Sequence, residues 1–111
     1  MININLEGNF HLKKNLEFLE SVWDDHLQKS CPIQHLCGIT FWRDLKLKIT
    51  NKVLIPRPET ELIVDIVFNI FPKKSEKLFF VELGTGSGAI SIALALAYPC
   101  SEIVATDIDQ D

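Results

Sequence analysis

Between His11 and Lys29 the apolar residues Leu12, Leu16, Leu19, Val22, Trp23 and Leu27 recur every three or four positions, the period of one face of an α-helix. The spacing predicts an amphipathic helix that ends at Cys31-Pro32, because proline disfavours helical geometry in the residue before it and has no N–H to donate. From Gly38 to Ile55 the period becomes two. Leu45, Leu47 and Ile49 alternate with Lys46, Lys48 and Thr50, which predicts half-buried strands. Arg43-Asp44 and Asn51-Lys52 interrupt the alternation and read as hairpin connections. Helical spacing returns at Glu59, with Leu62, Ile63, Ile66, Val67, Ile70 and Phe71 as the expected buried stripe and Glu61, Asp65 and Asn69 on the other side. Pro58 suits a first-turn position, Glu59 and Glu61 complement the dipole at the helix start, and Pro72 ends the run.

The last third of the chain changes character again. Leu78 to Glu82 is a short apolar run, Ile103 to Thr106 is another, and AISIALALAY lies between them as a helix-forming stretch. Strand, helix, strand with apolar residues on both strand faces predicts a buried parallel pair. Residues 78–107 thus read as the opening βαβ unit of a Rossmann-type α/β fold, preceded by a helix and a β-hairpin.

Composition adds exclusions. With 47% hydrophobic and 23% charged residues in 111 positions, the chain is of globular type. Net charge is −4 and no block of lysine or arginine occurs, so direct nucleic-acid binding is disfavoured. The start, MININLEGNF, lacks the basic end and apolar stretch of a signal peptide, and no run is long enough to span a bilayer. Cys31, Cys37 and Cys100 are odd in number and form no CxxC, which argues against a disulfide framework and fits a reducing, cytoplasmic setting.

The candidate chemistry sits in Glu82-Leu83-Gly84-Thr85-Gly86-Ser87-Gly88-Ala89. Three glycines at a strand-to-helix turn permit positive φ and let a ligand approach bare backbone beside the unpaired N–H groups of the next helix. Asp107 closes the second strand, 23 residues beyond Gly84, where nucleotide folds place a carboxylate for ribose hydroxyls. Gly84-x-Gly86-x-x-Ala89 also satisfies the dinucleotide fingerprint, so an NAD-type ligand stays open. Glu82 weighs against it. A carboxylate about 4 Å from a pyrophosphate would cost on the order of 4 kcal/mol per unit charge at an effective dielectric near 20. S-adenosylmethionine carries a sulfonium and an ammonium and no phosphate, so the same carboxylate favours it. A P-loop is excluded, since no GK[ST] follows the glycines.

Other constellations carry less. Cys31, His35 and Cys37 lack the fourth ligand of a zinc site and read as incidental. His11 and His26 read as surface groups on the first helix, and Trp23, Phe41 and Trp42 as core aromatics. Glu59 and Glu61 read as helix-start charges. In Ile55-Pro56-Arg57-Pro58-Glu59-Thr60-Glu61 two prolines fix the backbone around one arginine, and a rigid structural turn and a functional one are both consistent with that.

Taken together, Pro32-Ile33-Gln34-His35-Leu36-Cys37-Gly38, Phe41-Trp42, Val53 to Glu61 and Glu82 to Ile90 closely resemble the HemK family, the protein-(glutamine-N5) methyltransferases of peptide chain release factors. The resemblance runs from about Pro32 to Asp107. It implies a Rossmann-like class I S-adenosylmethionine-dependent methyltransferase fold, of which only the start is present. Residues 1–35 would belong to a helical N-terminal domain, 36–57 to a hairpin linker and 58–111 to the methyltransferase domain. Glu82, Gly84, Thr85, Gly86, Ser87, Gly88 and Asp107 would bind S-adenosyl-L-methionine, and the substrate would be the glutamine of a release factor's Gly-Gly-Gln motif. The family's Asn-Pro-Pro-Tyr acceptor motif is absent: Pro32, Pro56, Pro58, Pro72 and Pro99 include no adjacent pair. The expectation is therefore a fragment with a partial cofactor site, no catalytic residue of its own and uncovered apolar faces. An NAD-dependent oxidoreductase fragment and a non-catalytic binding module are the alternatives.

Overall fold

The computed structural model describes residues 2–4, 10–12 and 15–109, the first two stretches as backbone only. The chain divides into two compact units, Met1–Leu36 and Cys37–Asp111.

In the first unit, β1 (Ile2–Ile4) pairs antiparallel with β2 (Phe10–Leu12), and α1 spans Leu16–Lys29. The helix begins later than the apolar spacing suggests. Asn15 is its N-cap, accepting the Phe18 N–H at 3.0 Å, so an asparagine side chain rather than the periodicity fixes the start. His11 and Leu12 are strand residues, and positions 13 and 14, included in the expected helix, lie outside the described residues. His26 is half-buried rather than a surface group. Its ring lies 5.5 Å from Trp23, and Nδ1 donates to the Cys31 carbonyl at 2.7 Å beyond the left-handed C-cap Ser30.

The second unit starts with the end of α2 (Ile33–Cys37), followed by the hairpin β3 (Ile39–Trp42) and β4 (Leu45–Lys48), joined by Arg43-Asp44. Asn51-Lys52 joins no second hairpin. It lies in a turn closed by the Val53 N–H on the Thr50 carbonyl, and the chain then runs without regular structure to Arg57. Prolines 56 and 58 remove the donors that a further strand would need. A 3-10 turn over Pro58–Thr60 leads into α3 (Glu61–Ile70). The strands β5 (Phe79–Leu83) and β6 (Glu102–Thr106) pair in parallel, Phe79 opposite Glu102 and Leu83 opposite Thr106, with α4 (Ala89–Ala97) between them in sequence.

The core of this unit gathers Trp42, Leu47, Val64, Ala89, Leu94 and Tyr98. Alternation along β3 explains why Trp42 is buried and its neighbour Phe41 is 72% exposed. Trp23 is exposed as well, so of the three aromatics expected in the core only Trp42 is there. On α3 the buried face is also displaced. Val64 is fully buried and Val67, Phe68 and Phe71 pack beside it, whereas Leu62, Ile63, Ile66 and Ile70 are exposed. The acids Glu61 and Asp65 do not mark the solvent side, because Arg43 reaches both of them. Only one face of the parallel pair is covered. Phe80 and Ile103 pack on the core, while Phe79, Val81 and Leu83 are exposed among the described residues. No helix among those residues is long and apolar enough to cross a membrane.

Tyr98 ties the helices together. Fully buried at the end of α4, its hydroxyl donates to the Phe71 carbonyl at 2.7 Å, with the Val67 carbonyl 3.3 Å away at the end of α3. Tyr98→Phe keeps the ring contacts with Phe68 and Phe80 but takes the hydroxyl from the Phe71 carbonyl, while the Val67 carbonyl still accepts the Phe71 N–H at 2.9 Å. The expected loss is about 1–3 kcal/mol, read as a lowered midpoint in urea with an unchanged slope.

Candidate functional site

Parallel register brings the two strands to a common edge, so the glycine loop leaves β5 and Asp107 leaves β6 side by side. The Gly84 and Thr85 N–H groups both donate to the Thr106 carbonyl, at 2.8 and 3.0 Å, which stitches the start of the loop to the end of β6. The Gly86 N–H then donates to Asp107 Oδ2 at 2.7 Å. Asp107 Oδ1 accepts the Asp109 N–H at 3.2 Å. The Gly86 amide, followed by those of Asp109 and Ile108, holds the Asp107 carboxyl below its usual range, because each bond favours the charged form.

Gly84, Gly86 and Gly88 all have positive φ, as a loop folding back on two strand ends requires. At Gly88, the N-cap of α4, φ is +76° and an added Cβ would lie 3.2 Å from Ile92 Cδ1. Gly88→Ala should lower stability by about 1–2 kcal/mol through the left-handed backbone alone. The shift in thermal midpoint against wild type measures it.

Gly88 offers no capping side chain, and Glu82 takes over that role from β5. Glu82 Oε2 accepts the Ser91 N–H at 3.1 Å, on the third residue of α4, together with the hydroxyls of Ser91 and, at 2.9 Å, Thr85. One carboxylate oxygen thus holds the loop and the helix start together, and its charge lies where the dipole of α4 favours it. Sequence reading places Glu82 beside a ligand; the geometry gives it a capping function that nothing in the spacing announces.

Two adjoining clefts, each of about 180 Å3, flank the loop. One is lined by Glu82, Gly84 to Ser87, Ala89 and Ile90 on the loop side and by Leu54, Pro56, Arg57 and Thr60 opposite. The other lies between Gly84, Gly86, Asp107 and Asp109 and the segment Lys52–Leu54. Lys52 Nζ and Asp109 Oδ1 are 3.5 Å apart across its mouth. The structure therefore brings together Glu82, Gly84, Thr85, Gly86, Ser87 and Asp107 along one wall, with Gly88 immediately behind at the start of α4. The opposite wall, from Lys52 to Thr60, was not among the site residues expected from sequence. Its signal was the proline-framed arginine at 56–58. No group of three or more His, Cys, Asp or Glu among the described residues could hold a metal ion.

A wall of glycine backbone, a carboxylate bound to the loop at one end and a second carboxylate at the base of the helix can accept hydroxyl donors and cations. Donors for an anion are scarcer, since the Gly86 and Ser91 N–H groups are already engaged by Asp107 and Glu82.

No family model matches the chain. Among curated proteins it is 42% identical over 101 residues to the release factor glutamine methyltransferase of Thermosynechococcus vestitus, covering 91% of this chain and 35% of that protein. The protein of the same name from Gloeobacter violaceus is 38% identical over 109 residues, covering 98% and 38%. That from Lactococcus lactis is 44% identical over 108 residues, covering 97% and 39%. The chain thus spans little more than a third of the length of these relatives.

Proposed function

Because the chain belongs to the family of the release factor glutamine methyltransferases, we propose that its glycine loop holds S-adenosyl-L-methionine. The whole protein would then methylate the side-chain amide nitrogen of a glutamine in a peptide chain release factor. The observation that carries this reading is the engagement of the loop's own donors. A pyrophosphate docks on free N–H groups at a helix start, but here Glu82 takes the Ser91 N–H of α4 and Asp107 takes the Gly86 amide, which leaves fewer of them. A cationic, phosphate-free ligand meets two carboxylates instead, which is favourable in the partly desolvated cleft.

On this proposal Gly84, Thr85, Gly86, Ser87 and Gly88 lie along the ligand, Asp107 accepts the ribose hydroxyls, and Glu82 faces the positive methionine end. When bound, the donor would supply a methyl group on a sulfonium: the amide nitrogen would gain the methyl carbon, the C–S bond would break to leave a neutral thioether, and the nitrogen would give up one proton to water. This chain contributes binding and orientation to that step. An amide nitrogen is a weak nucleophile, so alignment provides much of the acceleration, on the order of 7–11 kcal/mol when fully preset. The fold proposed for the whole is the Rossmann-like class I methyltransferase fold, begun by β5, α4 and β6. The proposed organisation assigns 1–35 to a helical domain, 36–57 to a linker and 58–111 to the catalytic domain.

Incubating the full-length protein with a release factor and methyl-labelled S-adenosylmethionine tests the proposal. Label should enter the release factor and disappear when its Gly-Gly-Gln glutamine is replaced. Absence of label, with nicotinamide reduction in its place, would contradict it.

A further inference from the structure

Arg43 has φ +49°, in the left-handed region that L side chains rarely adopt, at a hairpin turn where glycine would fit without strain. Its contacts suggest why an arginine is retained there. Arg43 Nη1 donates to Asp65 Oδ1 at 3.0 Å and to the Glu61 carbonyl at 3.3 Å, and its own N–H donates to Glu61 Oε1 at 3.4 Å. The preceding residue grips the same turn from its other end. Buried Trp42 donates from its indole Nε1 to the Arg57 carbonyl at 3.0 Å. Two adjacent residues of the hairpin therefore bracket the chain from Arg57 to Glu61, and this stretch supplies Arg57 and Thr60 to the outer wall of the cleft opposite Glu82.

We propose that Arg43 and Trp42 are positioning residues for the cofactor cleft: they set the distance of the Pro56–Thr60 wall from the glycine loop without touching the ligand. The inference rests on the proposed S-adenosylmethionine site. Backbone strain at Arg43 is then offset by the placement of a binding wall, and stability and affinity should respond to its removal in opposite senses. A purely structural ion pair would move both together.

The test is Arg43→Gly in the full-length protein, with S-adenosylmethionine affinity measured by calorimetry and the thermal midpoint measured in parallel. Glycine relieves the backbone and deletes both guanidinium bonds, keeping only the backbone N–H on Glu61 Oε1, so the midpoint should hold or rise. The dissociation constant should increase about tenfold, a loss of about 1.4 kcal/mol. Trp42→Phe, which keeps a ring in the core but deletes the indole donor along with some buried volume, should weaken binding in the same way. Leu47→Ala is the control, destabilising the same core from β4 through an apolar side chain that can make no hydrogen bond to the Arg57–Glu61 turn. At a temperature where it stays folded it should bind as wild type does. Unchanged affinity in both Arg43→Gly and Trp42→Phe overturns the proposal, as does an equal loss in Leu47→Ala. Failure of the wild-type protein to bind S-adenosylmethionine would instead refute the cofactor assignment on which the proposal rests.

Discussion

Asp107→Ala should abolish S-adenosylmethionine binding at concentrations that just saturate the wild type. The carboxylate does two things at once. It would accept the ribose hydroxyls, and hydrogen bonds to a charged acceptor are stronger than those to a neutral one. It also fixes the loop through the Gly86 amide at 2.7 Å, so its loss releases the backbone that the ligand lies against. Losing those bonds and the loop's anchor together should weaken binding about 100-fold or more. Asp107→Asn should fall between, because the amide oxygen can still accept from Gly86 while the charge is gone. The pH dependence follows with its sign. The folded-state pKa of Asp107 is depressed, chiefly by the Gly86 amide. Its contribution is thus fully present above the ordinary aspartate value of about 3.9 and is lost as pH falls through the lower folded value. Between pH 5 and 8 this lock should not vary, and loop order followed by amide exchange should decay only below that range.

Glu82 is expected to give the next largest effect, and two substitutions separate its roles. Glu82→Ala removes the acceptor of three donors and leaves the Ser91 N–H and the buried Ser91 hydroxyl without it, as well as the Thr85 hydroxyl. About 1–3 kcal/mol of stability should go, as for other buried polar groups left unpaired. Ligand affinity should fall with it, because the helix start frays beside the loop. Glu82→Gln retains an acceptor oxygen of nearly the same shape, so stability should change by less than about 1 kcal/mol. Its charge is lost, and a cationic ligand should bind about 1–3 kcal/mol more weakly, within the ~4 kcal/mol that Coulomb's law allows at 4 Å and a dielectric near 20. Equal affinity in wild type and Glu82→Gln would mean that this carboxylate serves only to cap α4.

The loop and its partner acid were legible in the sequence because they depend on local rules: glycine where φ is positive, an acid at a strand end, apolar runs either side. The parallel pairing of β5 and β6 followed from the same pattern. What could not be read lies in contacts between elements. Glu82 meets Ser91 only because the loop reverses and α4 returns over the strand, a geometry with no signature in the spacing of the two residues. The wall from Lys52 to Thr60 has no periodicity, so only its prolines hinted at a fixed shape. On α3 the polar positions do not mark a purely solvent face, since the partly exposed Asp65 and Glu61 both pair with Arg43, and the apolar residues Leu62, Ile66 and Ile70 are exposed. Apolar spacing alone overextends the first helix, because it continues through Leu12 into a strand, and Asn15 marks the true start.

A loop built in this way should accept a cationic adenosyl ligand and refuse a pyrophosphate. Parallel calorimetric titrations of the full-length protein with S-adenosylmethionine and with NAD test it directly. The predicted result is saturable binding of the first in the micromolar range and none of the second, with the first lost in Asp107→Ala. Tighter binding of NAD, or binding of S-adenosylmethionine that survives Asp107→Ala unchanged, would contradict the account.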